Sequence, residues 1–228
     1  MLNVDKTTYL YFGHKKFSQF NISILEQPIL RCSSTKLLGL YIDDKFNWKP
    51  HIVHLKSLIT PWKHIFYNLR DKLSVPSKYL LYSSFIQSHL RFCIELYSNS
   101  PTSYLQGIKI LQNRLLKILF NFDKFFPSDQ LYKQLKVLSF NNLATQNKLR
   151  IAYLTLYKEI SYFPKENIKL SLHDRNGPLF ILYHSSLGSH DVIAKVFTCW
   201  NNLPPKIRSQ ASTVSLSFFL HSITSQNP

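Results

Sequence analysis

The stretch KLLGLYIDDKFNWKPHIVHLKSLI, residues 36–59, is where the chain changes from one kind of structure to another. Lys36 to Ile42 is a β-like run, and Gly39 inside it marks a close backbone approach or a strand kink. From Pro50 the apolar positions recur every three to four residues instead. Ile52, Leu55, Leu58, Ile59, Trp62, Ile65, Phe66 and Leu69 fall on one helical face. Pro50 suits the first turn of that helix, whose amides need no intrahelical acceptor, whereas Pro61 sits inside it and should kink it.

Upstream of this switch, Thr7 to Phe12 and Phe20 to Leu25 have β character, with Gly13 and Pro28 as punctuation. They predict a small antiparallel sheet of two or three strands. Downstream, the helical period continues. A second helix is expected from about Pro76 to Tyr97, carrying Leu80, Leu81, Phe85, Ile86, His89, Leu90 and Phe92. The turn Asn99-Ser100-Pro101-Thr102-Ser103 opens a third, with Leu105, Ile108, Leu111, Leu115, Ile118 and Leu119. Further helices are expected near 128–138 and 140–161, then an irregular or extended segment at 164–190. A short helix at 191–202, a break at Pro204-Pro205 and a last helix near 213–225 complete the chain. The fold class is α+β and predominantly α-helical, a small N-terminal β element followed by a helical bundle. Three parts are expected: 1–47, 48–163 and 164–228.

The 228 residues are 45% hydrophobic and 14% aromatic, enough apolar surface for a folded core and too much for a disordered chain. Lys and Arg number 28 against 12 Asp and Glu, so a polyanionic partner is favoured, nucleic acid or an anionic membrane surface. Cys32, Cys93 and Cys199 are far apart and form no CxxC pair, which suits a reducing compartment better than a disulfide framework or zinc site. No apolar run approaches the roughly 20 residues that span a bilayer, and the N-terminus lacks the apolar core of a signal peptide. The expected location is intracellular, in nucleus or cytoplasm.

Several stretches, in order, resemble the reverse transcriptases of non-LTR (LINE-like) retrotransposons. Leu2-Asn3-Val4-Asp5-Lys6-Thr7 followed by Tyr9-Leu10-Tyr11-Phe12 is similar to the family's LN-x-x-KT…F strand, which comes just after the catalytic Asp-Asp hairpin. Lys36 to Asp43, then Phe46-Asn47-Trp48-Lys49-Pro50-His51-Ile52, resembles the K-x-LG-x-x-ID-x-x-L-x-W-x-x-HI passage, where the last palm strands lead into the thumb. Trp200-Asn201-Asn202-Leu203-Pro204 resembles the WN-x-LP signature near the end of such reading frames, and Asp174-Arg175-Asn176 loosely echoes an upstream TRN element. The resemblance implies end of palm, helical thumb and downstream region, parts that grip RNA template and DNA primer in the intact polymerase. The palm that carries the catalytic carboxylates, and with them the magnesium ions, would precede this chain.

Tyr41-Ile42-Asp43-Asp44 imitates the catalytic Tyr-x-Asp-Asp of that family. Polymerase chemistry needs carboxylates that hold two metal ions about 4 Å apart, on a tight hairpin between apolar strands. Here Lys45-Phe46-Asn47-Trp48-Lys49 makes no apolar return strand, and the earlier acids, Asp5 and Glu26, are outside the family's first catalytic motif. Asp43 and Asp44 read instead as turn or helix-entry acids, which hydrogen-bond their own backbone. No catalytic residue, metal site or cofactor is assigned.

Residues 45–122 hold eleven cations against Asp71 and Glu95. Such a surface tracks a phosphate backbone by salt-dependent, sequence-independent contacts. The nucleic-acid-binding residues expected from it are Lys45, Lys49, Lys56, Lys63, Arg70, Lys109, Arg114 and Lys117. By resemblance Lys6 joins them, near the triphosphate in an intact enzyme; the alternative is a solvated strand-end lysine. Trp48, Trp62, Phe66 and Tyr67 have helical spacing that favours core packing over base stacking. His51, His54 and His64 lack the cysteine or acid that would complete a metal set. Trp200 and Leu203-Pro204-Pro205 are expected to dock the last helix. The expected function is a truncated reverse-transcriptase-derived fragment that lacks the catalytic palm and keeps, at most, residual non-specific RNA/DNA template–primer binding. Two other functions remain open: a basic helical structural or membrane-surface protein, and a minimal metal-dependent polymerase or nuclease using Asp43 and Asp44.

Overall fold

The computed structural model describes residues 7–12, 21–24, 26–158, 168–170, 179–181, 192–211 and 213–226. It is predominantly helical with small strand pairs near the N-terminus, the expected α+β class. The N-terminal strands differ from expectation in one respect. β1 (Thr8–Leu10) pairs in parallel with β4 (Leu30–Cys32), and only β2 (Ser23–Ile24) with β3 (Gln27–Pro28), and β5 (Ser34–Leu37) with β6 (Leu40–Asp43), are antiparallel. The run Lys36 to Ile42 is not one strand but the tip of the β5–β6 hairpin. Leu38 (φ 48) and Gly39 (φ 90) form its two-residue turn, both with positive φ as the right-handed twist of a tight hairpin requires.

α1 (Lys49–Ile59) and α2 (Trp62–Leu69) follow, joined through Thr60 and Pro61. Both joint residues keep right-handed helical angles, so the proline bends the path without reversing it. α1 buries Ile52, Leu55 and Ile59, and α2 buries Phe66. The expected long second helix is interrupted twice. α3 (Val75–Tyr82), capped by the Ser74 hydroxyl, passes into a π-helical stretch, Ser83–Gln87, and then α4 (Ser88–Arg91). Phe92 turns extended, Cys93 adopts φ 51, and α5 (Ile94–Tyr97) starts in a new direction. The buried Tyr97 hydroxyl donates to the Leu90 carbonyl across this break and fills an acceptor that a continuous helix would have satisfied internally.

α6 (Thr102–Leu119) is the spine of the first core. Leu105, Ile108, Leu115, Leu116 and Leu119 are buried at helical spacing, each worth about 1.5–3 kcal/mol of transfer free energy. Gln112 is buried among them with its amide fully used. It donates to the Tyr82 hydroxyl (2.8 Å) and the Leu138 carbonyl (3.0 Å), and accepts from the Phe140 amide (2.8 Å). This one side chain ties α3 and α6 to the helix that begins at Phe140. α7 (Ser128–Leu135) ends at Lys136 in left-handed geometry, short of the expected residue 138.

α8 (Phe140–Tyr157) starts in the first core with Phe140, Leu143 and Ala144 and ends in a second with Leu149, Ala152 and Tyr153. The second core adds α9 (Val192–Asn201), α10 (Pro205–Gln210) and α11 (Leu216–Gln226). α10 is a helix where only a break was expected; Pro205 supplies its first turn. Trp200 lies 5.5 Å from Phe219 of α11, and Phe219 stacks on Tyr153 at 5.1 Å. The tryptophan thus docks the last helix, as its sequence context suggested. Between α8 and α9 in the chain, Ile168–Leu170 (β7) and Leu179–Ile181 (β8) form an antiparallel pair. The Asp174-Arg175-Asn176 element and the expected boundary at 163 lie outside the described residues.

Candidate nucleic-acid interface

The acid pair is built into the junction between hairpin and helix. The buried carboxylate of Asp43 accepts three backbone hydrogen bonds: Oδ1 from the amides of Lys45 (3.1 Å) and Asn47 (3.2 Å), Oδ2 from Trp48 (2.7 Å). The loop wraps the carboxylate at a conformational cost, since Phe46 (φ 50) and Trp48 (φ 62) are non-glycine residues with positive φ. Asp44 faces outward, 4.0 Å from the Arg31 guanidinium. Asp43 therefore holds the entry to α1, and its oxygens are directed at its own loop.

His51, in the first turn of α1, is 3% exposed, and neither ring nitrogen has a hydrogen-bond partner. Its ring meets Tyr97 edge-on at 5.0 Å. Burial, and after it the charge of nearby His54, lowers its pKa from 6.5 to about 4. The unfolded chain therefore takes up this proton before the folded one does. Its contribution is complete above pH 6.5 and is lost as pH falls toward 4, up to about 3 kcal/mol in all. Urea denaturation between pH 7 and pH 4.5 should show this loss, and it should be reduced in His51→Phe. An unchanged pH slope in the variant would exclude His51 as its source.

The cations separate into those that share a surface and those that do not. Lys49, Lys56, Lys63 and Arg70 are spaced by seven residues along α1 and α2, so they recur on one helical face with little drift. Three of them meet α6 or its cleft. The Lys49 ammonium lies 5.9 Å from the Tyr104 ring centroid. That of Lys56 rests on Gly107, where an added Cβ would come within 2.8 Å of Nζ. Arg70 lines a cleft of 550 Å³ with Arg114, Lys117 and Lys124. Tyr104, Gly107 and Arg114 themselves lie on one side of α6. The result is a row of positive charge along the seam of α1–α2 with α6, widening into the cleft. At 1.5 Å per residue the four helical cations extend over roughly 30 Å, with steps of about 10 Å. That is close to three nucleotides of rise along one strand.

Lys63 occupies the seven-residue place between Lys56 and Arg70 and is half-buried. Lys45 is exposed in the Asp43 loop, beyond the start of the row. Lys109 lies over Phe140 at 6.0 Å, on the side of α6 that meets α8. Lys6 is outside the described residues. Lys124 was missed by sequence reasoning because it follows α6 in a loop; its signal was the density of cations at Arg114, Lys117 and Lys124. The seven-residue spacing was also legible in the sequence. Of the aromatics, Trp48 packs against the core, Trp62 stacks on Phe85 at 4.4 Å, and Phe66 is buried. Tyr67 alone of these four is exposed, with the Arg70 guanidinium 4.2 Å above its ring.

Acids are sparse on this face. Asp71 accepts from Asn121 (2.6 Å) and from Arg70 Nε (3.3 Å), and these partners, the asparagine bond first, lower its pKa. Among the described residues no group of three or more His, Cys, Asp or Glu is placed to hold a metal ion, and no helix is long and apolar enough to cross a membrane.

No family model matches the chain, and no solved structure matches it. Over 147 residues, however, it is 24% identical to the RNA-directed DNA polymerase from mobile element jockey of Drosophila melanogaster, a match that covers 60% of this chain. The chain spans about 15% of the length of that relative. The molecule that carries this cationic seam is thus similar, over more than half its length, to part of a mobile-element RNA-directed DNA polymerase.

Proposed function

We propose that this chain is the portion of a non-LTR retrotransposon reverse transcriptase that follows the catalytic palm, and that it grips RNA template and DNA primer without polymerase chemistry of its own. The observation that carries the reading is the placement of Lys49, Lys56 and Arg70 against α6 and its cleft of Arg114, Lys117 and Lys124, with Lys63 joining the row by its seven-residue spacing. A regular track of cations on helices suits the phosphate backbone of a duplex and reads no bases. Similarity to a mobile-element polymerase supports the choice of partner. Asp43, bonded to three amides of its own loop, gives no support to a catalytic role for the acid pair. Metal ions would be held by the palm.

The palm is also the natural occupant of the N-terminal surface. Leu30 and Leu38 are 74% and 91% exposed, and Phe12, Leu37 and Phe46 are exposed as well. The strands there form two-stranded pairs among the described residues, so their outer edges are open to a neighbouring sheet.

Fluorescence anisotropy with a labelled RNA/DNA hybrid, in a salt series from 25 to 300 mM, tests the reading. The logarithm of affinity should fall against the logarithm of salt with a slope of about −3.6 to −5.4, for the roughly four to six phosphates the row can neutralise. No binding at 25 mM, or binding indifferent to salt, would overturn it.

A further inference from the structure

The loop after α6 carries an aromatic feature that a grip on duplex backbone does not use. Residues 120–126 read Phe-Asn-Phe-Asp-Lys-Phe-Phe. Phe122 lines the cationic cleft and packs on Phe126 at 4.7 Å. Phe125, beside cleft-lining Lys124, is 84% exposed, with the Lys124 ammonium 5.5 Å from its ring centroid.

This exposure is held in place. Asn121 (φ 58) donates to Asp71, Lys117 Nζ donates to the Lys124 carbonyl (2.8 Å), and the Asp123 carboxylate accepts from the Phe125 amide (2.7 Å). Three tethers thus fix a short loop in which Phe125, unlike Phe122, points into solvent. One exposed phenylalanine is ordinary; one at the edge of a cleft lined by Arg70, Arg114, Lys117 and Lys124 joins a flat apolar face to concentrated positive charge.

We propose that this cleft and loop bind single-stranded nucleic acid, with a phosphate among Arg114, Lys117 and Lys124 and an unpaired base stacked on Phe125. The inference rests on the nucleic-acid reading above and deepens it. A duplex hides its bases and offers phosphates alone, which the α1–α2 row can satisfy. An unpaired strand offers negative charge and open π-faces together, the combination this end of the row matches. The track would then have two zones: a backbone-reading row for paired strands and a stacking end for an unpaired overhang. Anionic lipid is the other ligand that joins phosphate to apolar matter, but its chains favour a broad apolar surface over one tethered ring.

The test uses the full chain with Phe125→Ala and Phe125→Trp, whose exposed position leaves the core untouched, and three ligands of matched label: a 12-nucleotide single-stranded RNA, a blunt hybrid of the same length, and phosphatidylserine vesicles. Phe125→Ala should weaken single-strand binding about tenfold and leave the hybrid within twofold, and Phe125→Trp should restore it. A 2-aminopurine in the single strand should change its fluorescence on binding wild type and not on binding Phe125→Ala. Equal losses on both nucleic acids, or no loss on either, would overturn the two-zone inference while salt-dependent hybrid binding keeps the wider reading alive. Absence of any nucleic-acid binding by wild type overturns both. Vesicle binding lost in Phe125→Ala with single-strand affinity unchanged assigns the loop to a lipid surface and overturns the inference.

Discussion

Asp43→Ala should lower the stability of the chain by about 3 kcal/mol, read as a shift in urea midpoint at constant m-value. The substitution removes the acceptor for three backbone amides, at Lys45, Asn47 and Trp48. Each becomes partly buried and unpaired, and an unmet buried donor costs about 1–3 kcal/mol. Water entering the loop recovers part of this, which keeps the total below the full sum. The same three bonds hold Phe46 and Trp48 at positive φ, so the loop should also relax and shift the start of α1. Asp43→Asn, which keeps one acceptor oxygen, should lose about half as much. Asp44→Asn gives up only a long, half-exposed 4.0 Å pair with Arg31 and should stay within about 0.5 kcal/mol. A metal-binding role predicts the reverse: both asparagine variants stable, and metal-dependent nucleotide incorporation abolished. Stability unchanged in Asp43→Ala would refute the structural role.

The triple variant Lys56→Glu, Lys63→Glu, Arg114→Glu should lose more than a hundredfold in affinity for an RNA/DNA hybrid at 100 mM salt. Three favourable phosphate contacts become three repulsions, and the salt slope should fall by about 3. Lys56 and Arg114 are exposed and Lys63 half-buried, so the fold should persist. The informative comparison is Lys45→Glu with Lys109→Glu. Each reversal alters net charge as much as any one of the three, but these residues lie in the Asp43 loop and over Phe140, off the row. Losses there should remain within about threefold per site. Equal losses per charge at all five positions would mean that net charge alone binds, and that the row has no geometric part in it.

Much of this architecture was readable from residue spacing, for identifiable reasons. The change of period at Pro50 located α1, and Ile108, Leu115 and Leu119 marked the buried face of α6, because burial selects apolar residues at the helical repeat. Asp43 read as a turn acid, and its three amide partners give the reason. What stayed hidden was backbone reversal without glycine or proline as a marker. Cys93 and Lys136 adopt positive φ in sequence contexts that look helical, and Leu38 does so beside the single glycine of the hairpin. At Cys93 the reversal is accompanied by the Tyr97 hydroxyl on the Leu90 carbonyl, a contact of which short-range propensity carries no record. Parallel pairing of β1 with β4 was equally invisible, since alternation shows a strand but not its partner. On the surface, the cations were visible as a count. The seven-residue spacing of the row was visible too, but which cations meet α6 needed the relative rotation of α1, α2 and α6.

α8 has a consequence for how the chain comes apart. Its first turns are filled by Phe140, Leu143 and Ala144 against one set of helices, and its later turns by Leu149, Ala152 and Tyr153 against another. An isolated 18-residue helix of this kind is marginal in water, so each half depends on its own packing, and the hydrogen-bond ladder is continuous between them. Melting either cluster frays the backbone that the other needs, and the Lys148–Asn99 bond (2.8 Å) fastens the crossing point to the turn after α5. The two clusters are therefore thermodynamically coupled through one element, and the described helices should lose structure as a single cooperative unit.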